Sequence, residues 1–291
     1  MTKNFDFQQR AYILSRSLLL ISTLLVLIFN NTNVMMSYNK EQLNCTNLPI
    51  PTTFCIADQI NISYELMRLI MIIILFIALL GFIPPLTGIL HWYICYSIQQ
   101  NFLPVDGGDQ IAMAITFLLI PITLLDFRIN YFLSKKRNLN KYTQNITWSF
   151  MILIKIQVLL IYINAAIERL KNIEWADGTA LYYFFGDSVF GIPKWEYQMT
   201  NFIWESNLVI PITWSVTALE FFLAFNIIPN IKTNKIALII GIIFHLLIGL
   251  TIGIWTFVIV MIACLILYLS PSINPFIQRK ENMNKNDIIS E

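Results

Sequence analysis

The chain has 291 residues, of which 57% are hydrophobic and 12% charged, with a mean hydropathy of +0.65 and a formal net charge of +2. Soluble globular chains carry about 25% charged and 45–50% apolar residues, so this composition excludes a soluble enzyme and a disordered scaffold. The small net charge also excludes a nucleic-acid binder.

At roughly 20 apolar residues per crossing there is room for about eight helices and no soluble domain. The expected fold is all-α: a polytopic membrane bundle forming a single domain over 1–275, followed by a polar cytoplasmic tail at 276–291. The hydrophobic runs predict helices at 13–33, 66–83, 86–103, 111–127, 146–168, 206–228, 235–251 and 253–270. The first run lacks a small-residue cleavage site and leads into Asn30, Asn31 and Asn33, so it is expected to stay as an anchor. Cys45 and Cys55 share the polar segment after it, with nine residues between them. A disulfide there requires an oxidising compartment; the alternative is two free thiols. Cys95 and Cys264, inside apolar runs, read as small hydrophobes. Pro84-Pro85 predicts a tight hairpin between the second and third helices. In Val105-Asp106-Gly107-Gly108-Asp109-Gln110 the glycines predict a turn presenting polar groups at a helix start. The run from 235 to 270 is too long for one crossing and should turn near Gly249 to Gly253.

Lys and Arg placement predicts the orientation. With both termini cytoplasmic, the inner segments hold 13 of the 19 basic residues and the outer segments only five. Segments 34–65, 104–110 and 169–205 then face outward. The last is rich in aromatics, from Trp175 to Trp204. They serve either as interfacial anchors or as a cap over a cavity that receives an amphipathic peptide or lipid.

Ionisable residues within spans mark interior faces or function. On the fifth helix, with Lys155 at zero and 100° per residue, Tyr162 falls at about 340° and Arg169 at about 320°. Gln157, Asn164 and Glu168 fall on the opposite side. Two opposed polar faces predict a central helix packed on both sides. Counting from the inner helix ends puts Lys155, Glu220 and His245 roughly 12–15 Å above the cytoplasmic boundary. They are expected to form a buried network, either a neutralised Lys–Glu pair or a proton relay. Asp126 beside Arg128 reads as a surface pair and His91 as a packed histidine. No His/Cys/Asp cluster has metal spacing, and no phosphate loop or nucleophile elbow occurs. No metal and no cofactor are therefore expected.

Six stretches carry a resemblance: RSLLLISTLLVLIFN at 16–30, HWYICYSIQ at 91–99, DGGDQIA at 106–112, KIQVLLIYINAAIERLKNIEWADGTALYYFF at 155–185, VFGIP at 189–193 and FHLLIGLTIGIWTF at 244–257. Together, in order over about residues 10–270, they resemble the SdpB family of antimicrobial-peptide system proteins. That family is similar in turn to the HTTM group, which includes vitamin K-dependent gamma-carboxylases. The resemblance implies a bacterial inner-membrane protein. It would act with a small soluble SdpA-like partner to turn an exported SdpC-like precursor into a secreted toxin. Membrane lipids are the other expected partner. Carboxylases resemble the chain between Tyr162 and Gly178, where they carry Lys-Lys-Leu with the catalytic lysine. Here the run is Glu168-Arg169-Leu170, and arginine cannot be deprotonated to serve as an amine base. A functional histidine near the start of their fourth span is replaced here by Asp109 and Gln110. The pair Phe244-His245 does match.

The expected function is thus a membrane factor for maturation of a secreted antimicrobial peptide. The alternatives are a non-catalytic binding or export chaperone, or a carboxylase-like or lipid-modifying enzyme. Glu168, Arg169, Asp109, Glu220 and His245 are the expected catalytic residues. Arg169 would hold a carboxylate or carbonyl, and Glu168 or His245 would act as acid or base. Gly107, Gly108 and Gln110 of the turn, Tyr162 and Asn164 of the fifth helix, and Trp175, Asp177 and Gly178 beyond it are expected to line the cavity.

Overall fold

A computed structural model describes residues 9–32, 45, 48–102, 106–133, 139–187, 191–227, 230–270 and 273. The tail at 276–291 lies outside the described residues. Among the described residues every regular element is a helix, apart from an isolated bridge between Phe82 and Asn130. The helices are α1 (Arg10–Phe29), α2 (Thr53–Gln59), α3 (Tyr64–Leu79), α4 (Pro84–Asn101), α5 (Gly107–Leu124) and α6 (Lys141–Lys171). They continue with α7 (Ile173–Asp177), α8 (Ala180–Gly186), α9 (Lys194–Trp204), α10 (Val209–Phe225), α11 (Ile231–Ile252) and α12 (Trp255–Leu269).

Each of the eight predicted runs coincides with one helix, and local chemistry sets their ends. Thr52, Ser63, Asp106, Asn140, Asn172 and Asn230 each accept a hydrogen bond from a backbone amide of the helix they open. Pro84 and Pro85 occupy the first turn of α4, where a missing N–H costs nothing. The turn before them is pinned across the bundle: Ile83 N donates to Ile129 O (2.8 Å) and Tyr131 N to Gly81 O (3.1 Å). The break in the last run falls at Gly253, whose φ of +84° favours glycine.

By length and composition α1, α5, α6 and α11 can each cross a membrane. The pair α9 and α10, bent by 100°, would add a fifth crossing if it is one broken span. The chain is a membrane protein on this ground. Helix α12, with 15 residues, is shorter than a full crossing, yet it is the centre of the packing. Its residues from Val258 to Leu269 are nearly all buried, as expected of a helix that is apolar all round. Around it sit α1, α5, α6 and α11. A second core joins the far side of α1 to α2, α3 and α4. A third, small one at one end gathers α8, α9 and the start of α10 around Leu181, Phe185, Ile192 and Val209. This end is called the cap end below.

Cys45 and Cys55 form a disulfide with Cα atoms 5.8 Å apart. Cys55 is buried in α2, beside Phe54, which packs on Tyr64 and Phe102. The bridge therefore ties the segment after α1 to the second core. Reduction should cost about 2–3 kcal/mol by the loop-entropy estimate. A fall in melting temperature on adding a reductant, absent in a Cys45→Ser/Cys55→Ser variant, checks this.

Candidate functional site

Helix α6 carries Lys155, Tyr162 and Arg169 on one face, seven residues apart, and that face is turned inward. The opposite face is not packed: Asn164 and Glu168 are exposed. The expected two-sided burial is corrected here. Glu168 sits in the last turn and pairs with Lys171 at 2.6 Å on the surface, which satisfies its charge without a packing partner. Its side chain is 69% exposed, on the side of α6 away from Tyr162.

The inward face meets α10 and α11. Arg169 Nη1 lies 3.0 Å from Glu220 Oε1, an ion pair whose glutamate is only 4% exposed. The guanidinium stacks on Trp175, 4.4 Å from the ring centroid. About two helical turns deeper along α6, Tyr162 Oη and His245 Nε2 share a hydrogen bond of 3.0 Å, with both residues 2% exposed. Phe244 and Phe257 close over the imidazole edge-on, at 5.0 and 5.7 Å. Among the described residues Glu220 Oε2 and His245 Nδ1 have no hydrogen-bond partner. The pair Arg169–Glu220 is approached ion to ion without alignment of the Nη1 hydrogen.

The expected Lys155–Glu220 contact is absent. Lys155, 1% exposed, donates through Nζ to Tyr268 O and stands 3.4 Å from Leu267 O. Tyr268 Oη in turn donates to Ala224 O at 2.5 Å. The inner end of α10 is thus level with Lys155, so Glu220 lies nearer the cap end, opposite Arg169. Counting residues from run ends misplaced it because α6 extends well past the inner end of α10. Of the expected network, His245 and Glu220 stand near Arg169 and Tyr162, and Lys155 stands apart.

Above the ion pair is a cleft of about 610 Å3 between α10 and α11. Among the described residues Arg169 is its one charged lining residue; Trp175, Leu219, Phe244, Phe184, Phe185 and Trp204 form much of the rest. The two helices converge at Leu223 and Gly241, where a Cβ on the glycine would lie 2.9 Å from Leu265 and 3.2 Å from Leu223. They splay apart toward the cap end. There the cleft adjoins a second cavity of about 600 Å3, bounded by Phe185, Asp187, Lys194, Gln198 and Gly253. Phe185, Thr251 and Ile252 border both.

Several residues expected in the cavity have other tasks. Asp106 caps α5 and accepts from Thr256 Oγ1 at 3.0 Å. Gly108 lies so close to α12 that a Cβ would sit 2.7 Å from Phe257 Cα. The turn is a helix-packing contact: Gly107, Gly108, Asp109 and Gln110 line neither cavity. Gly178, at φ +88°, packs on Ile210 and lets the chain reverse after α7. Asp177 accepts from the amide and hydroxyl of Thr179, which hold its carboxyl below the usual carboxylate range. Asn164 is on the exposed face. Arg169, Trp175, Phe184, Phe185 and Trp204 line the cleft between α10 and α11, whereas Tyr182, Tyr183, Trp195 and Phe202 are exposed.

At the other end of the bundle, Asp126 and Arg128 pair at 2.6 and 2.8 Å, with Asp126 buried and Arg128 half-buried rather than on the surface. Arg16 lies 5.4 Å from the Tyr131 ring and 5.9 Å from that of Tyr12. His91 is buried against Thr23 Oγ1 at 3.1 Å. Arg16 escaped the sequence reading because it counted there only as an inner charge near a helix start.

The chain is 49% identical over 264 residues to the sporulation-delaying protein SdpB of Bacillus subtilis (strain 168), covering 90% of this chain and 82% of that protein. It belongs to the SdpB family. A second relative, the uncharacterized protein YitO of the same organism, is 33% identical over 271 residues, covering 89% of this chain and 85% of YitO. No family model and no solved structure matches the chain. In this SdpB-family chain the aligned length takes in nearly all the described helices, so the kinship concerns the whole bundle.

Proposed function

We propose that the chain is a polytopic inner-membrane factor for production of a secreted antimicrobial peptide, acting with a small soluble SdpA-like partner on an exported SdpC-like precursor. The observation that carries this reading is the buried Arg169–Glu220 and Tyr162–His245 centre beneath cavities at the cap end, in a chain of the SdpB family. The Lys and Arg distribution favours eight crossings with both termini inside, which turns the cap end outward toward an exported precursor. The precursor meets the second cavity, where Lys194, Gln198 and Asp187 offer polar contacts. Arg169 holds the Glu220 carboxylate beside this centre, and the Tyr162–His245 pair can hold or pass a proton. The scaffold likeness extends to the HTTM group through the Tyr162 to Gly178 stretch and Phe244-His245. Carboxylation is not part of the proposal, since Arg169 cannot be the base.

The test is co-expression of the chain with its soluble partner and precursor, followed by intact mass measurement of the secreted peptide. A mature mass that appears only with the chain supports the reading. Tyr162→Phe keeps the ring and removes the hydroxyl, and should lower product yield several-fold at unchanged protein level. A chaperone would instead change the amount secreted and leave the mass alone. Mature product made equally well without the chain would reject the proposal.

A further inference from the structure

The lining of the cleft between α10 and α11 decides what can enter it. Its wall runs along α11 from Ile240 to Ile252, about 18 Å at 1.5 Å per residue. Apart from Arg169, Ser215 and Thr251, the described lining residues are aliphatic or aromatic.

An extended peptide is a poor occupant of such walls. Its N–H and C=O groups would need partners, and the cleft walls offer almost none. Ser215 Oγ and Thr251 Oγ1 already donate to their own helices, at Ile212 O (2.7 Å) and Leu247 O (2.9 Å). Arg169 is committed in part to Glu220 at the inner end. Unpaired backbone groups in such surroundings cost several kcal/mol each. A hydrocarbon chain has no such groups.

The cleft is open on the side. Ile240, Ile243 and Leu247 line it and are also exposed on the flank of α11, a helix of membrane-spanning length. In a bilayer that opening faces acyl chains. At the cap end the cleft meets polar surroundings at Thr251, beside the cavity that holds Lys194 and Gln198.

We propose that this cleft binds one phospholipid. An acyl chain lies along it from Thr251 toward Arg169, and the headgroup stands at the junction with the second cavity. The proposal goes beyond the functional reading above and rests on the cleft alone; the precursor's site could be elsewhere without affecting it.

The full chain is reconstituted with phosphatidylcholine and phosphatidylglycerol carrying a photoreactive acyl chain, then moved into detergent to remove loosely held lipid before illumination. Labelled residues are mapped by mass spectrometry. Val216, Leu219 and Phe244 should be labelled several-fold more than Ile239, which is exposed on α11 outside the cleft. Val216→Trp narrows the slot and should reduce labelling of Leu219 and Phe244 several-fold. If that variant does not fold, Ile243→Trp blocks the slot from its exposed rim and serves the same purpose. Cleft labelling no higher than at Ile239, or undiminished by the blocking variant, would overturn the proposal. So would capture of the precursor peptide, rather than lipid, by a photo-crosslinking residue placed at Val216.

Discussion

Replacing Arg169 by methionine should destabilise the protein by about 3–5 kcal/mol, because it leaves the Glu220 carboxylate buried and alone. Glu220→Leu should cost less. Arg169 is partly open to the cleft, with its side chain 24% exposed, and its long stem can carry the guanidinium toward the polar mouth. Trp175 would still cover one face of it. The double variant Arg169→Met/Glu220→Leu should be more stable than the arginine single, since no unpaired charge remains. The coupling between the two positions should fall in the range of about 0.5–3 kcal/mol that contacting residues show. Denaturation of the detergent-solubilised chain, followed by circular dichroism, gives all four corners of the cycle. Strictly additive costs would mean that the ion pair is not formed. The cycle also separates stability from function. A double variant that folds but yields no mature peptide assigns the charges to the reaction; one that folds and works leaves them with a packing role.

The helices themselves were legible because apolar runs and punctuating residues are local signals. Pro84-Pro85, Asn140, Asn230 and Gly253 each do at a helix end what their chemistry dictates. The shared face of Lys155, Tyr162 and Arg169 was legible too, since it follows from helical periodicity alone. Which partner each of those groups takes was not. That depends on how far α6 and α10 are offset along their axes; Lys155 and Arg169 stand about four turns apart on α6, and the offset decides which of them Glu220 meets. Nothing in either run of residues encodes the offset. It is set by contacts between distant segments, such as Trp214 Nε1 donating to Ala176 O and Gly178 packing on Ile210. The glycines at 107 and 108 show a second limit. A glycine marks either a turn or a close approach, and only the neighbouring Phe257 backbone reveals that Gly108 is the latter. The α10–α11 cleft was illegible for a related reason: helices joined by a short loop are expected to pack, and these two diverge because α10 leans on α6 and α11 on α12.

Lys155 should behave quite differently from Arg169. Its ammonium sits on the carbonyls of Leu267 and Tyr268, in the last turn of α12, with the Tyr268 ring 5.6 Å away. The last four carbonyls of a helix lack partners within it, and the negative end of the helix dipole favours a cation there. Lys155 therefore acts as a buried side-chain cap for the central helix. Lys155→Met keeps the length of the side chain and removes the desolvated charge, but it leaves two carbonyls unmet. Each such group costs about 1–3 kcal/mol, offset in part by no longer burying an ammonium. A net loss of about 1–3 kcal/mol is expected, below that of Arg169→Met. Lys155→Glu places a carboxylate against the same carbonyls and should leave no folded protein. Combining Lys155→Met with Glu220→Leu should simply add the two losses, because the side chains have separate partners. If Glu220→Leu instead restores stability to Lys155→Met, the two charges face each other in the membrane and the placement of Lys155 under α12 is wrong.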